Sequence, residues 1–304
     1  MEEPDFNTLR VAILGLGLMG GSLALGLRGR VREVRAADPD ANARALAVQM
    51  GIVDVLASDA AEILGGVDII VLAAPVRANL ALVKALPRLA PAATAALPAQ
   101  DFGGDKPIVI DLGSTKTAIC QAYAGLPEYF DPVGGHPMGG KERGGLENAD
   151  AAIFRGVTFA LTALPRTSLR ARTVAEGLAR LLGSHPVWME AEAHDRWAAA
   201  TSHLPYLLAN ALALATPAEA AALVGPGFRS TSRLAAGFTP MMLDVLLSNR
   251  ENVLEAARRF RRELDTLETA LRQGDEGALR ESLERSVQRH AQLVQANTES
   301  EVSA

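Results

Sequence analysis

The strongest constraint on the fold is the segment Gly15-Leu16-Gly17-Leu18-Met19-Gly20, which matches the pattern G-x-G-x-x-G. The pattern alone is a weak signal, but an apolar β-like run precedes it and a helical run, Met19 to Leu27, follows it. A strand, a glycine turn and a helix in this order are typical of the first βαβ unit of an open parallel sheet. The chain is therefore expected to begin with an α/β domain.

Each glycine of this segment has its own physical reason. Gly15 permits a tight turn, Gly17 lets a pyrophosphate approach the backbone, and Gly20 allows the helix to pack on the strand. The helix N-terminus offers free N–H groups and a partial positive charge to the phosphates. We therefore predict a dinucleotide site that includes Gly15, Gly17, Leu18, Met19 and Gly20. A glycine-rich turn without a ligand is the alternative.

Asp38 ends the second predicted strand, where a carboxylate accepts hydrogen bonds from the ribose hydroxyls of NAD. It would repel the 2′-phosphate of NADP, and no arginine directly follows it, since Arg44 lies further along the chain. The prediction is NAD as the cofactor, with Asp38 among its contacts and Ala74, after a later apolar strand, as another. The alternative is that Asp38 only caps the helix predicted from Asp40 to Met50.

The remaining organisation follows from alternating apolar and helical runs. Strands that alternate with helices predict a doubly wound parallel sheet. After about Glu190 strand candidates disappear and helical runs fill the chain. The predicted fold class is an α/β N-terminal dinucleotide-binding (Rossmann-like) domain, residues 1–190, followed by an all-α C-terminal domain, residues 191–304. The strand candidates are Leu9–Leu14, Val34–Ala37, Asp68–Ala74, Ile108–Leu112 and Val157–Ala163, and residues 91–107 are predicted to be a surface excursion.

Two apolar stripes run along the C-terminal helices at spacings of three and four residues. Such a stripe is either core within one subunit or part of a dimer interface, and the two interpretations are compatible. The first stripe is Val253, Ala257, Phe260, Leu264, Leu267 and Leu271, and the second is Leu279, Leu283, Val287, His290 and Val294.

Composition excludes several classes of protein. The net charge is −5 and the basic residues are scattered, which argues against a nucleic-acid partner. No apolar run approaches the roughly 18 residues of a membrane span, so no membrane association is expected. The single cysteine, Cys120, forms no internal disulfide, and Met1 to Thr8 lacks the basic and apolar regions of a signal peptide. These features predict a cytoplasmic protein.

A second glycine-rich segment, Gly134 to Gly145, contains six glycines, one histidine and three charged residues. Such a stretch is poor core material, and we expect a loop that closes around a ligand. Its histidine, His136, is the candidate for the chemistry, because a neutral imidazole takes a proton from an alcohol during hydride transfer. A histidine that merely caps a turn is the alternative.

The other histidines carry weaker signals. His203 lies in a polar pair, Ser202-His203, within a helical region, where it either faces a cleft or is a satisfied core residue. His194 is predicted to be a surface or capping residue, and His185 and His290 to be structural. No His, Cys and Asp cluster has the spacing of a metal site.

Six segments together resemble the prephenate/arogenate dehydrogenase family over nearly the whole chain. The glycine loop is shared with many β-hydroxyacid dehydrogenases, whereas the second and third segments in this order are much more discriminating. The six are Gly15–Ser22, Asp111–Lys116, Gly135–Glu142, His194-Asp195, Ser202–Pro205 and Ser232–Ala235.

This resemblance implies an NAD-dependent oxidative decarboxylation of prephenate to 4-hydroxyphenylpyruvate, a step of tyrosine biosynthesis. It assigns to His136 the hydrogen bond from the ring hydroxyl of the substrate, with Ser114 beside it. It implies that His203 and Arg233 contact the substrate and that Glu142 lies at the site entrance. The helical domain is expected to join a homodimer.

The chain differs from the family pattern at two positions. Tyr206 occupies a place where relatives often carry histidine, and it is a further candidate for substrate binding. Ser230 occupies a place where they often carry an acid. A site without that acid favours the keto side chain of prephenate over the ammonium of arogenate.

Three alternative functions stay open at this point. Arogenate dehydrogenase has the same chemistry on an amino-acid side chain. A β-hydroxyacid or imine reductase shares the glycine motif but not the His-Pro-Met-Gly-Gly segment that begins at His136. An NAD-binding redox sensor would explain the glycine loop and Asp38 but would leave His136, His203 and Arg233 without roles.

Overall fold

The computed structural model describes residues 4–90, 106–141, 143–237 and 239–302. An eight-stranded sheet has the order β3-β2-β1-β4-β5-β6-β7-β8. All neighbouring strands are parallel except β6 and β7, which are antiparallel. The strands are β1 Arg10–Leu14, β2 Glu33–Ala37, β3 Val55–Ala57, β4 Ile69–Leu72, β5 Ile108–Asp111, β6 Asp131–Pro137, β7 Thr158–Ala163 and β8 His185–Trp188.

Helices connect the strands and then form the rest of the chain. In the sheet region they are α1 Leu18–Leu27, α2 Ala41–Met50, α3 Val76–Leu89, α4 Thr117–Ala124 and α5 Leu169–Leu181. After β8 they are α6 Ala191–Ala198, a π-helical turn Ala199–His203, α7 Leu204–Ala215, α8 Pro226–Ser232, α9 Thr239–Ser248, α10 Arg250–Gln273 and α11 Glu276–Val302. Among the described residues, no helix combines the length and the apolar character needed to cross a membrane.

The central strands β1, β4 and β5 are apolar except at Arg10 and Asp111, because helices cover both faces of the sheet. In β1, Val11 and Ile13 belong to one buried cluster, while Ala12 and Leu14 belong to another on the opposite face. The same alternation holds in β4, residues 69–72. Helices on both faces of this sheet confirm the predicted fold class of the N-terminal part, although β7 runs antiparallel to β6 and the sheet is therefore not parallel throughout.

One predicted loop is wrong. Residues Gly134 to Pro137 of the glycine-rich segment lie on β6. A Cβ added to Gly135 would lie 2.6 Å from the carbonyl oxygen of Asp111. Glycine is therefore needed here for close approach of two strands, and the segment is core up to His136. The short strands β3 and β8 were also not predicted, and the excursion predicted at residues 91–107 lies almost wholly outside the described residues.

The two C-terminal stripes are not core of the single chain. Val253 is buried at the start of the first stripe, but Leu271 is 64% exposed and Phe260 and Leu264 are also exposed. In the second stripe Val287 is 69% exposed, and Leu283 and Val294 are also exposed. Helices α10 and α11 pack against each other, yet most of their apolar side chains face outward, so the interpretation as core within one subunit is wrong for most of both stripes.

Candidate active site

Two adjoining cavities lie where the carboxyl ends of β1, β4, β5 and β6 meet. The helical region closes over this edge through an ion pair of Arg77 with Asp244, 3.0 Å, and a hydrogen bond of 3.1 Å between the hydroxyls of Thr115 and Ser248. The first cavity lies against the glycine loop, and the second lies between β6, α7, α9 and the turn at residues 233–237. His136 lines both cavities.

The glycine loop has the geometry that its sequence predicted. Gly15 has a φ of 108°, a conformation that favours glycine, and lies against the backbone of Ala73 and Ala74. A Cβ on Gly20 would lie 1.9 Å from the carbonyl oxygen of Gly15. A Cβ on Gly17 would meet open space, so a ligand can approach the backbone at the N-terminus of α1. The first cavity is lined by Gly17, Leu18, Met19 and Ala74, among others.

Asp38 lies half-buried beside this loop. Its Oδ2 accepts a hydrogen bond of 2.6 Å from the backbone N–H of Leu16, and its Oδ1 accepts one of 2.8 Å from that of Asp40. The N-cap of α2 is Asp40 and not Asp38. Arg44 donates from its guanidinium to the carbonyl oxygen of Asp38 at 2.7 Å. Gly15 and Asp38 both line a third cavity, so the carboxylate of Asp38 lies beside the glycine loop.

The second cavity brings together five of the residues selected from the sequence. Its walls also carry Lys141 and Met241, so Lys141 adds a second cation to Arg233 of the selected set. No described lining residue is acidic. Glu142, the predicted entrance residue, lies outside the described residues. The five are Ser114, His136, His203, Tyr206 and Arg233.

His136 is held by a second histidine. Its Nδ1 lies 2.9 Å from Nε2 of His194, and Nδ1 of His194 lies 2.8 Å from Oδ1 of Asp195. The two rings meet edge to face. His194 is 2% exposed, so its prediction as a surface or capping residue is wrong. It lies at the contact of α6 with β6, which the sequence does not place together.

Both cavity histidines are neutral near pH 7. Burial lowers the pKa of His136 well below its usual value, and its neighbours His194 and Lys116 act in the same direction. Burial also lowers the pKa of His203 to about 4. A neutral His136 can accept a hydrogen bond from a hydroxyl. No group of three His, Cys, Asp or Glu side chains among the described residues is arranged to hold a metal ion.

A buried ion pair supports the strand that carries His136. Lys116 is fully buried, and its ammonium contacts the carboxylate of Asp111 and donates to the carbonyl oxygen of Gly135 at 2.6 Å. Asp111 also accepts from the backbone N–H of Gly113 at 2.9 Å and of Gly135 at 3.2 Å. Lys116 and Asp111 thus bind both the carbonyl oxygen and the N–H of Gly135, the residue before His136.

The sequence analysis named several of these residues without assigning them a role. Lys116 and Asp111 stand in the segment Asp111–Lys116, and His194-Asp195 is an adjacent pair. Both belong to the segments that carry the family resemblance. Asn249, which is 4% exposed and contacts both His203 and Asp195, carried no signal at all.

Two family models match the two parts of the chain. The family model described as prephenate dehydrogenase, nucleotide-binding domain, matches residues 22–187. The one described as prephenate dehydrogenase, dimerization domain, matches residues 190–285. The prephenate dehydrogenase of Lactococcus lactis subsp. cremoris is 30% identical over 284 residues, which cover 89% of this chain and 73% of that protein.

Solved structures agree with this similarity. A prephenate dehydrogenase from A. aeolicus, in complex with hydroxyphenyl propionate and NAD+, has a TM-score of 0.82 and 26% identity, covering 95% of this chain and 100% of that chain. An arogenate dehydrogenase from Synechocystis has a TM-score of 0.76 and 26% identity, covering 94% of this chain and 100% of that chain. The similarity therefore spans the α/β part and the helical part together.

Proposed function

The chain belongs to the prephenate dehydrogenase family, and on that premise we propose that it converts prephenate to 4-hydroxyphenylpyruvate and carbon dioxide in tyrosine biosynthesis. It is an NAD-dependent dehydrogenase. One observation carries the proposal of where the reaction occurs. His136 and Ser114 line both cavities, so a dinucleotide in the first cavity and a substrate in the second meet at these two side chains.

The residues of the first cavity fit NAD. The open space over Gly17 and the N-terminus of α1 suit the pyrophosphate, and Asp38 suits the adenosine ribose. We assign the cofactor contacts to Gly15, Gly17, Leu18, Met19, Gly20, Asp38 and Ala74. Bound NAD supplies the acceptor for the hydride that leaves the substrate.

The protein then provides orientation, a proton acceptor and cations. The ring carbon that bears the hydroxyl loses a hydride, and neutral His136 accepts the hydroxyl proton as the oxygen becomes a carbonyl. The bond between the ring and its carboxylate breaks, carbon dioxide leaves, and the electron pair of that bond completes the aromatic ring. The carbonyl oxygen becomes a phenolate and takes back the proton held by His136, which gives the phenol hydroxyl of the product. Arg233 can hold a carboxylate bidentately. Ser114, His203 and Tyr206 are proposed to donate hydrogen bonds to the substrate.

Prephenate is expected to be a better substrate than arogenate. An ammonium taken from water needs a carboxylate partner, and no described residue of the second cavity is acidic, while Lys141 and Arg233 are cationic. Ser230 is exposed on α8 and does not line this cavity, so the argument rests on these cations and on Tyr206. The measurement is kcat/KM for each substrate at one NAD and salt concentration. A tenfold preference for arogenate, about 1.4 kcal/mol, would contradict the prediction and make Glu142→Gln the next variant.

NAD is expected to be preferred over NADP, and Asp38→Ala is expected to narrow that preference by about tenfold or more. The change removes the repulsion of a 2′-phosphate, and the guanidinium of Arg44 already lies beside residue 38. Asp40→Ala is the matched control, because it removes the cap of α2 and leaves Asp38 in place. The ratio of kcat/KM with the two cofactors is the readout. An unmodified protein that uses both cofactors equally would refute the role of Asp38.

We also propose that residues 191–304 form a substrate and dimerisation domain and that the chain is an obligate homodimer. The exposed stripes of α10 and α11 and the match to a dimerization domain support this. Such an interface buries on the order of 2,000 Å² or more.

The presence of one cysteine, Cys120, supports a reducing, cytoplasmic location.

Light scattering tests the dimer. One chain has a mass of 32.0 kDa, so a species of twice that mass is expected at micromolar concentration. Val287→Glu places a charge on the second stripe and should shift the protein toward the monomer. Gln288→Glu adds the same charge one residue away, off the stripe, and should leave the mass unchanged. A stable monomer of the unmodified chain would overturn the proposal.

A further inference from the structure

Two neutral histidines line the second cavity, His136 on β6 and His203 at the end of the π-helical turn. A neutral imidazole carries hydrogen on one ring nitrogen, which donates, while the other nitrogen accepts. The tautomer of each ring therefore decides what it offers to a substrate. The hydrogen-bond partner of the inner nitrogen determines that tautomer.

The first chain of hydrogen bonds begins at the carboxylate of Asp195. Its oxygens accept from the backbone N–H of Lys116 at 2.7 Å and of Thr117 at 2.9 Å. Although burial opposes it, hydrogen bonds from His194 and Thr117 hold the pKa of Asp195 below its usual value, so the group is a carboxylate. A carboxylate has no hydrogen to donate, and the Nδ1 of His194, 2.8 Å away, must donate to it.

The consequence passes to His136. In the neutral ring of His194, the hydrogen on Nδ1 leaves Nε2 as the acceptor. The Nδ1 of His136, 2.9 Å from that nitrogen, must then donate. This leaves Nε2 of His136 without hydrogen, as the acceptor at the end of the ring.

A second chain begins at the main-chain carbonyl of the same aspartate. The Nδ2 of Asn249 donates to the carbonyl oxygen of Asp195 at 2.7 Å and lies 3.1 Å from Nδ1 of His203. Oδ1 of Asn249 accepts from Asn252 at 2.7 Å, which is consistent with the same amide orientation. The Nδ1 of His203 therefore accepts, and its Nε2 carries the hydrogen.

We propose that Asp195, through His194 and Asn249, holds the two cavity histidines in opposite tautomers, with Nε2 of His136 as an acceptor and Nε2 of His203 as a donor. Resting on the proposed function, this arrangement gives the substrate hydroxyl an acceptor and gives a substrate oxygen a donor. His194, Asp195 and Asn249 are positioning residues, since none of them lines the second cavity among its described walls.

Burial makes these tautomers strict. Asp195 is 1% exposed, His194 is 2% exposed and Asn249 is 4% exposed, so water does not replace a lost partner without a structural change. Asp195 lies on α6, while the N–H groups that hold its carboxylate belong to the start of α4. The acceptor state of His136 thus depends on the docking of the helical region onto the sheet.

Histidine ¹⁵N NMR tests the proposal directly on the unmodified protein. The chain has five histidines, so a sample labelled only in histidine is tractable. We expect Nε2 of His136 and Nδ1 of His203 to show shifts of unprotonated nitrogens near pH 7. A protonated Nε2 on His136, or an unprotonated Nε2 on His203, overturns the proposal. This readout needs no turnover, so correct tautomers without prephenate turnover would reject the proposed function and leave this inference standing.

A variant series adds a kinetic readout. In Asp195→Asn the new amide can donate to His194, which reverses its tautomer and forces hydrogen onto Nε2 of His136. We expect kcat to fall about 10²–10⁴-fold, with the KM for NAD unchanged and the NMR signature of His136 reversed. Ser248→Ala is the control, because it removes a hydrogen bond between the same two regions without touching either histidine. Near-normal kcat in Asp195→Asn with hydrogen on Nε2 of His136 overturns the proposal. If the variant shows no reversal of the tautomer or does not fold, the spectrum of the unmodified protein decides.

Discussion

Replacing His136 with asparagine is expected to lower kcat about 10²–10⁴-fold, with little change in the affinity for NAD. Asparagine keeps a polar atom near the place where Nδ1 of His136 meets His194, but it has no atom at the position of Nε2. The variant therefore loses the proton acceptor and keeps the cavity. Steady-state kinetics with prephenate and NAD, together with NAD titration, measure the two effects separately.

His185→Asn is the matched control for this substitution. His185 lies on β8, at the far edge of the sheet from the glycine loop, and lines neither of the two cavities among the described residues. The kcat of this variant should stay within about threefold of that of the unmodified enzyme, the range expected when no transition-state contact is lost. Near-normal turnover in His136→Asn would remove His136 from the mechanism.

Replacing Lys116 with methionine is expected to lower the free energy of unfolding by about 3–5 kcal/mol, because it leaves the buried carboxylate of Asp111 without its cation. Methionine has a similar volume, so the loss reports charge more than packing. The double variant Lys116→Met with Asp111→Asn should recover part of the loss, since no buried charge is left. Urea unfolding of the two variants and the unmodified protein gives the comparison.

Lys84 provides the control, because it lies exposed on α3. Lys84→Met should change the free energy of unfolding by less than about 0.5 kcal/mol, as is usual for surface positions. If Lys116→Met were equally mild, the pair with Asp111 would contribute no net support to β6, and the account of how the strand beside His136 is held would fail.

The pattern of apolar runs was sufficient for most of the α/β architecture. Residues 11–14 of β1 and the whole of β4, Ile69–Leu72, are apolar because helices cover both faces of the sheet, and this buried pattern is visible in the sequence. The glycine loop could be predicted for a different reason: local backbone geometry requires glycine at positions 15 and 20. Strand β6 could not, since glycines such as Gly135 carry no apolar side chain to signal burial, and their need arises only from the neighbouring strand.

The C-terminal stripes show a second feature that the sequence pattern could not decide. A helical spacing of apolar residues shows that one face of a helix is covered, but it does not say what covers it. Only the burial of each side chain distinguishes the two interpretations: Val253 is covered within the chain, while Leu271 and Val287 are not.

The sequence by itself determined most strands and helices of the α/β part, the glycine loop and the segments that contain the candidate site residues, because these depend on neighbours within a few positions. Only the tertiary structure decided how those residues act on each other. His136 and His194 are 58 positions apart, yet their ring nitrogens lie 2.9 Å apart. Tautomers, lowered pKa values and the buried pair of Lys116 with Asp111 depend on such distances and on the exclusion of water, which no local pattern encodes.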